Sequence, residues 1–232
     1  MWMQAHRILI IVALLAIRPV SAGTATIDDM CTGITNAHEC SATIEEAQLP
    51  LWEDRVARAG TKLVLTLDSG EVIELEDDRY FYRFRECSKT AAKCVFVKGA
   101  NEVVRYIAVD VITGRRDDYR GMVTYSPSGA TFVVGGLWSS CGGTTFLEIR
   151  DTATDVMEFA LDYKALFELG GKSQLCLEAE DHMRLPQAGQ ARWLDESTIS
   201  FNLWCNEGVP SLASISLTLV RNETGWRLSA TP

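Results

Sequence analysis

The sequence predicts a mainly β fold, an antiparallel hairpin-rich sheet with a short α-helix ahead of it, and three observations carry that expectation. From Thr61 onward apolar residues recur with a period of two, the runs are short, and clusters of Asp, Asn, Ser, Pro and Gly separate them. The one stretch with helical spacing stands before them all. Many short strands broken by turn residues bury their apolar faces only by packing sheet on sheet.

The chain opens on a segment that does not belong to the fold. Met1 to Ala22 has Arg7, an unbroken apolar run from Ile8 to Ile17, and then the small residues of Pro19-Val20-Ser21-Ala22, the pattern of an export signal. The run is shorter than the roughly 20 residues a bilayer core requires, and nothing comparable follows it. The expectation is a signal peptide over 1–22 and an exported chain, periplasmic or secreted, without a membrane span. A helical segment over 23–60 and a β domain of hairpin units over 61–232 then follow.

Charge narrows the partners. Lys and Arg number 22 against 31 Asp and Glu, a net charge of -9, and removal of Arg7 and Arg18 with the signal takes the mature chain to -11. A negative field repels nucleic acid and anionic lipid, so neither is expected as a partner. With 47% hydrophobic residues the chain is globular, and its length suits one compact core.

Seven cysteines lie in the exported part, where disulfides persist. Cys87 and Cys94 bracket a turn between two strand-like runs and make the most readable pair. Cys31 with Cys40 and Cys176 with Cys205 are further candidates, because sequence alone does not fix connectivity. Cys141 is then the candidate free thiol, or the cysteine that joins a homodimer.

The elements follow in order. Asn36-Ala37-His38-Glu39 has the form of a capping box and predicts a helix start. Cys40, Ile44 and Ala47 continue at helical spacing until Leu49-Pro50, where proline disfavours the helical conformation before it. Leu51 to Ala59, with Trp52 and Val56 four apart, predicts a further turn or two ended by Gly60. Thr61–Leu67 and Glu71–Glu76 then make a hairpin about Asp68-Ser69-Gly70, with Leu63, Leu65 and Leu67 on one arm and Val72, Ile73 and Leu75 on the other. Strands are expected over Arg79–Glu86, Cys94–Lys98, Val103–Val111, Met122–Tyr125, Ala130–Val134, Thr144–Arg150, Val156–Leu161, Ile199–Cys205, Ala213–Arg221 and Trp226–Ala230. Asp110-Val111-Ile112-Thr113-Gly114 and Ser126-Pro127-Ser128-Gly129 set a side-chain acceptor early and glycine late, the chemistry of tight turns. Asn222-Glu223-Thr224-Gly225 repeats the scheme and also spells an N-glycosylation acceptor.

The succession Tyr106–Asp110 with Thr113-Gly114, then Tyr125–Val134, then Phe146–Asp151, resembles the blade grammar of β-propeller proteins such as those of the bacterial cell envelope. Ala191–Phe201 is similar to the opening strand of the same grammar. The resemblance spans about Thr61 to Arg221 and rests on turns that other hairpin proteins reuse. It implies a propeller-like or partial-propeller architecture and carries no catalytic residues across.

Candidate chemistry is sparse. The exported part holds two histidines, His38 and His182, so a Ser-His-Asp or Cys-His site must use one of them. His182 follows Glu178-Ala179-Glu180-Asp181, but no Gly-x-Ser-x-Gly elbow supplies a nucleophile. Ser139-Ser140-Cys141-Gly142-Gly143 reads more simply as a hairpin loop that needs positive φ than as a thiol site. There is no Cys-x-x-Cys pair, and the acid runs Glu74–Asp78 and Glu178–Asp181 lack the spacing of a calcium loop, so neither metal nor cofactor is expected.

The most unusual run is Arg79-Tyr80-Phe81-Tyr82-Arg83-Phe84-Arg85. As a strand it puts Tyr80, Tyr82 and Phe84 on one face and Arg79, Phe81, Arg83 and Arg85 on the other, an aromatic inner and a basic outer face. Arg79, Arg83 and Arg85 are candidate contacts for an acidic ligand or partner. The simpler reading pairs them with Asp77, Asp78, Asp117 and Asp118. Arg115–Arg120 reads as a charged loop, and Trp138, beside Ser139, as a contact residue at a hairpin tip. The reading that follows is a non-catalytic exported module that binds a protein or glycan. Its alternatives are a hydrolase using His182 with Cys141 or a serine, and an acidic inhibitor or immunity-type protein.

Overall fold

The computed structural model of the chain describes residues 29–31, 34, 37–100, 103–135, 145–162, 187–188, 191–204 and 214–230. It is mainly β, with four antiparallel sheets and one short N-terminal helix.

Helix α1 (Ala37–Gln48) begins where the capping box predicts, although Asn36 itself lies outside the described residues. Its buried stripe is Ser41, Ile44, Glu45 and Gln48. That is helical spacing, but three of the four are polar, and the Ala47 of the apolar pattern is exposed. Pro50 stands inside a single 3-10 turn over Leu49–Trp52, which ends the helical part. The helical expectation for the residues beyond it is corrected: β1 (Val56–Ala59) is a strand. Val56 is buried in the core while Ala57 is exposed, the two-residue alternation of a strand, which the short run Val-Ala-Arg-Ala conceals.

The first sheet, A, holds β1, β2 (Lys62–Thr66) and β3 (Val72–Glu76), in that order. Sheet B is a meander of β4 (Phe81–Ser88), β5 (Lys93–Ala100), β6 (Val103–Asp110) and β7 (Arg116–Tyr119). Sheet C repeats it with β8 (Met122–Tyr125), β9 (Thr131–Gly135), β10 (Thr145–Asp151) and β11 (Met157–Asp162). Sheet D places β12 (Gln187–Ala188) and β13 (Arg192–Asp195) beside one edge of β14 (Thr198–Trp204), followed by β15 (Ser214–Asn222) and β16 (Gly225–Ala230). Because β12 and β13 pair with opposite ends of β14, they act as one interrupted strand and sheet D is also four strands deep.

Strand β7 corrects the charged-loop reading of Arg115–Arg120. Its outward residues are charged because it is the edge of sheet B, and edges are commonly blunted in this way, so no apolar alternation marks it.

Among the described residues the buried apolar side chains form three clusters rather than the single expected core, one between each pair of successive sheets. Leu63, Leu65, Leu75, Phe84, Phe96, Ile107 and Val109 close sheet A on sheet B. Val95, Val123, Phe132 and Val134, with Tyr106, Tyr119 and Tyr125, close B on C. Leu147, Ile149, Ile199, Phe201, Leu217 and Leu219, with Trp193 and Trp226, close C on D. Strands covered on both faces become continuously apolar, which is why Lys93–Val97 of β5 and all of β9 are buried. The array is open. The outward face of A, with Ala57, Ala59 and Val72, and that of D, with Ser216, Val220 and Ser229, are both exposed.

Two disulfides hold the N-terminal half, Cys31 to Cys40 and Cys87 to Cys94. The second joins residues directly opposite each other on β4 and β5 and staples their hairpin. Cys141, Cys176 and Cys205 lie outside the described residues, as do the signal segment, Trp138 and His182. Among the described residues no helix is long and apolar enough to cross a membrane, and no group of His, Cys, Asp and Glu is placed to hold a metal ion.

Candidate functional site

The arginine-aromatic run stands where α1, sheet A and sheet B meet. Strand β4 is the first strand of sheet B, so the amides and carbonyls on one of its edges have no strand partner. Side chains take that place. The Tyr82 amide donates to Asp77 at 2.7 Å, and the Phe84 amide donates to Glu45 of α1 at 2.6 Å. The Tyr82 carbonyl accepts from both Arg58 and Arg83. Arg58 of β1 in turn grips Glu45 with two bonds of 2.9 and 2.8 Å, and Arg83 donates to Asp77 at 2.7 Å. Glu45 is 7% exposed, and burying a carboxylate at that depth is affordable only with such a full set of donors.

Arg83 also sits 2.9 Å from Nε2 of His38. A guanidinium only donates, so His38 accepts there and carries its proton on Nδ1. The His38 ring stands edge-on to Phe81 at 4.7 Å, and the Phe81 ring lies where a side chain on Gly99 would be, 2.1 Å from the position of a Cβ. Only glycine at 99 admits that ring. Arg83 is therefore fully engaged in holding α1 to sheet B, with Asp77, one of the four acids the simpler reading names.

The other two arginines part from it. Arg79 is exposed in the turn before β4. Arg85 is 4% exposed, with Nε 3.8 Å from Glu86. It stands at a register break between Phe84 and Glu86 and near Tyr106 of β6. Arg85 is therefore buried and Arg83 engaged with its neighbours, so Arg79 alone of the three is exposed. Tyr80 is exposed and packs under the Lys98 ammonium at 4.5 Å.

At one end of the molecule the hairpin turns meet. The Asp68 amide donates to Val111, the Val111 amide to Ala92, the Thr152 amide to Ala130 and the Arg221 amide to Ser197. Thr90 donates to the Pro127 carbonyl at 3.3 Å, and Glu196 accepts from both the amide and the hydroxyl of Ser128. These bonds stitch the turns of all four sheets into one rim. Gly129, at φ +74°, lies so close to Ala91 that a Cβ would stand 2.5 Å from its backbone nitrogen.

Each turn is locked from within by the acceptor the sequence places early. Asp110 accepts from the amides of Ile112 and Thr113, Asp151 from the amide and hydroxyl of Thr154, Asp195 from those of Ser197, and Asn222 from those of Thr224. Although burial pulls the other way, the Thr113 bonds and Lys93 hold the Asp110 carboxyl below its ordinary range. Bonds from Thr154 and Ser197 do the same for Asp151 and Asp195. Asp110, Asp151 and Asn222 all end the third strand of a sheet. The first two stand about 40 residues apart, the length of a propeller blade, which is the repeat signal the sequence reading passed over.

Apolar side chains crown this rim. Ile112, Val156, Met157 and Leu194 are all about half exposed or more, and Leu51, at 68%, reaches the same end through Trp52, which packs under Lys89 of the β4–β5 turn.

No protein-family model matches the chain, and no curated protein matches it. Among solved structures it is similar to the N-terminal domain of Nup159, with a TM-score of 0.41 and 11% identity over 76% of this chain and 47% of that one. It is also similar to a chain in a complex of S. cerevisiae Dbp5 bound to Nup159, Gle1, IP6 and ADP, with a TM-score of 0.39 and 11% identity over 76% of this chain and 46% of that one. The chain spans about half the length of the structures it matches. The reading of the site rests on its own residues.

Proposed function

We propose that the protein is an exported, non-catalytic module that binds another protein through the rim of stitched turns. The supporting observation is that this rim presents Leu51, Ile112, Val156, Met157 and Leu194 to solvent on turns held by backbone and side-chain bonds from sheet to sheet. Large apolar side chains exposed together mark interaction surfaces, and a surface that is already ordered loses little conformational freedom on binding. Residues 1–22 support the exported address, as do two disulfides that need an oxidising compartment.

Site-specific photocrosslinking in the native host tests this. A photoreactive residue at Ile112 or Met157 is expected to give a discrete adduct with one protein, and Ile112→Glu is expected to abolish the adduct formed from Met157. The same probe at Tyr80, on the opposite end, is expected to give none. Adducts from Tyr80 alone, or none from the rim, would refute the assignment.

A further inference from the structure

We infer that the open array is closed by a second copy of the chain, with the outward face of sheet A in one copy docked on the outward face of sheet D in the other. The argument begins with which strand is which. In sheets B, C and D the first-to-second and third-to-fourth turns lie at the stitched rim. In sheet A the turn between β2 and β3 lies there, bonded to Val111, while the turn between β1 and β2 lies at the opposite end, where Thr61 accepts from the Asp77 amide. Strands β1, β2 and β3 are therefore the second, third and fourth strands of a blade. The place of the first is taken by α1, whose Glu45 bridges Arg58 of β1 and the Phe84 amide of β4. Sheet A and sheet D thus end the array with equivalent strands.

Their outward faces match row by row. On sheet A the register sets Ala57, Val64 and Glu74 side by side across the second, third and fourth strands. On sheet D it sets Thr198, Val220 and Arg227 across the same three. Glu74 is the third residue of β3 and Arg227 the third of β16, both counted from the rim, so the two rows stand at the same height. Laid face to face they oppose a small residue to a small one, Val64 to Val220, and a carboxylate to a guanidinium.

The charges of the two faces are complementary as wholes. Sheet A shows Glu74 and Glu76 against Lys62, and the side chains of these two acids are 54% and 60% exposed. Sheet D shows Arg192 and Arg227, both exposed, with Ser200, Ser216, Thr218 and Ser229, and the one carboxylate on its strands, Asp195, is turned into its own turn by Ser197. One such contact is heterologous, and two copies related by a twofold axis make it twice, which closes the ring with no edge left over. The surface is separate from the rim, and its partner is this chain itself.

Sedimentation velocity on the full exported chain tests it, with Glu74→Arg and Arg227→Glu made singly, mixed and combined. The wild-type chain is expected at twice the monomer mass, shifting toward monomer as salt is raised. Each single variant sets like charges together at both contacts and is expected to run as a monomer. Mixing the two variants makes both contacts complementary again and is expected to restore the dimer, as is the double variant, which also shows that both chains fold. A wild-type monomer throughout, or a dimer that neither single variant disrupts, would overturn the inference.

Discussion

The two cores on either side of sheet C are built on different physics. Between C and D, Leu147, Ile149, Ile199, Phe201 and Leu219 are all at most 2% exposed, with Trp193 edge-on to Trp226 at 5.8 Å. Between B and C the described cluster is Val95, Val123, Phe132 and Val134, with three tyrosines packed against it. Tyr119 reaches from sheet B to donate to Asp155 of sheet C at 3.1 Å, and Asp155 also meets Arg150 at 3.4 Å. The aliphatic contact gains in proportion to area and tolerates small shifts, whereas the tyrosine contact is directional and depends on its groups keeping their protons. One interface supplies adhesion and the other fixes how two sheets are set against each other.

The comparison is broken most severely from the aliphatic side. Phe201→Ala leaves a cavity between C and D and is expected to cost about 3–5 kcal/mol, read from the midpoint of urea unfolding. High pH attacks the other core selectively. Burial pushes the phenols of Tyr106, Tyr119 and Tyr125 above their ordinary range, with the charge of Asp155 adding to the effect at Tyr119. The folded state keeps protons there that the unfolded chain loses. Stability is therefore complete below the ordinary phenol pKa of about 10 and falls as the pH rises beyond it, by about 1.4 kcal/mol per unit for each such tyrosine. Absorbance at 295 nm should show these three ionising together with unfolding.

Smaller changes sharpen the contrast. Gly129→Ala forces a left-handed residue and a clash with the β4–β5 turn, at an expected cost of about 2 kcal/mol in the same unfolding measurement. Tyr119→Phe removes one hydrogen bond between B and C while Asp155 keeps its arginine, so about 1 kcal/mol is expected at neutral pH. The variant should also lose part of the alkaline sensitivity, and an unchanged pH profile would show that Tyr119 has no share in it.

Much of this architecture was legible because hairpins write themselves locally. Leu63, Leu65 and Leu67 alternate in the sequence and are buried in the structure, and Asp110-Val111-Ile112-Thr113-Gly114 states both its acceptor and its positive-φ residue. What stayed hidden depends on partners distant in the chain. Strand β7 reads as a loop partly because its inward Tyr119 finds its partner, Asp155, 36 residues further on. The junction around Glu45 was invisible for the same reason: Arg58 and Phe84, which it holds, lie 13 and 39 residues away. Within the β4 run, only tertiary contacts separate Arg83, tied to the helix through His38, from Arg85, which is buried.

That each described core lies between consecutive sheets has a consequence for how the chain assembles. Among the described residues every sheet packs on the one before or after it in the chain, so these cores form without the two ends of the chain meeting, and loop-closure entropy delays their assembly little. Within a single copy such an array behaves like a row of coupled units, stiffest in the middle and loosest at its ends. Amide hydrogen exchange in the monomeric Glu74→Arg chain should accordingly be slowest in β5 and β9, which are covered on both faces, and fastest in β1 and β16.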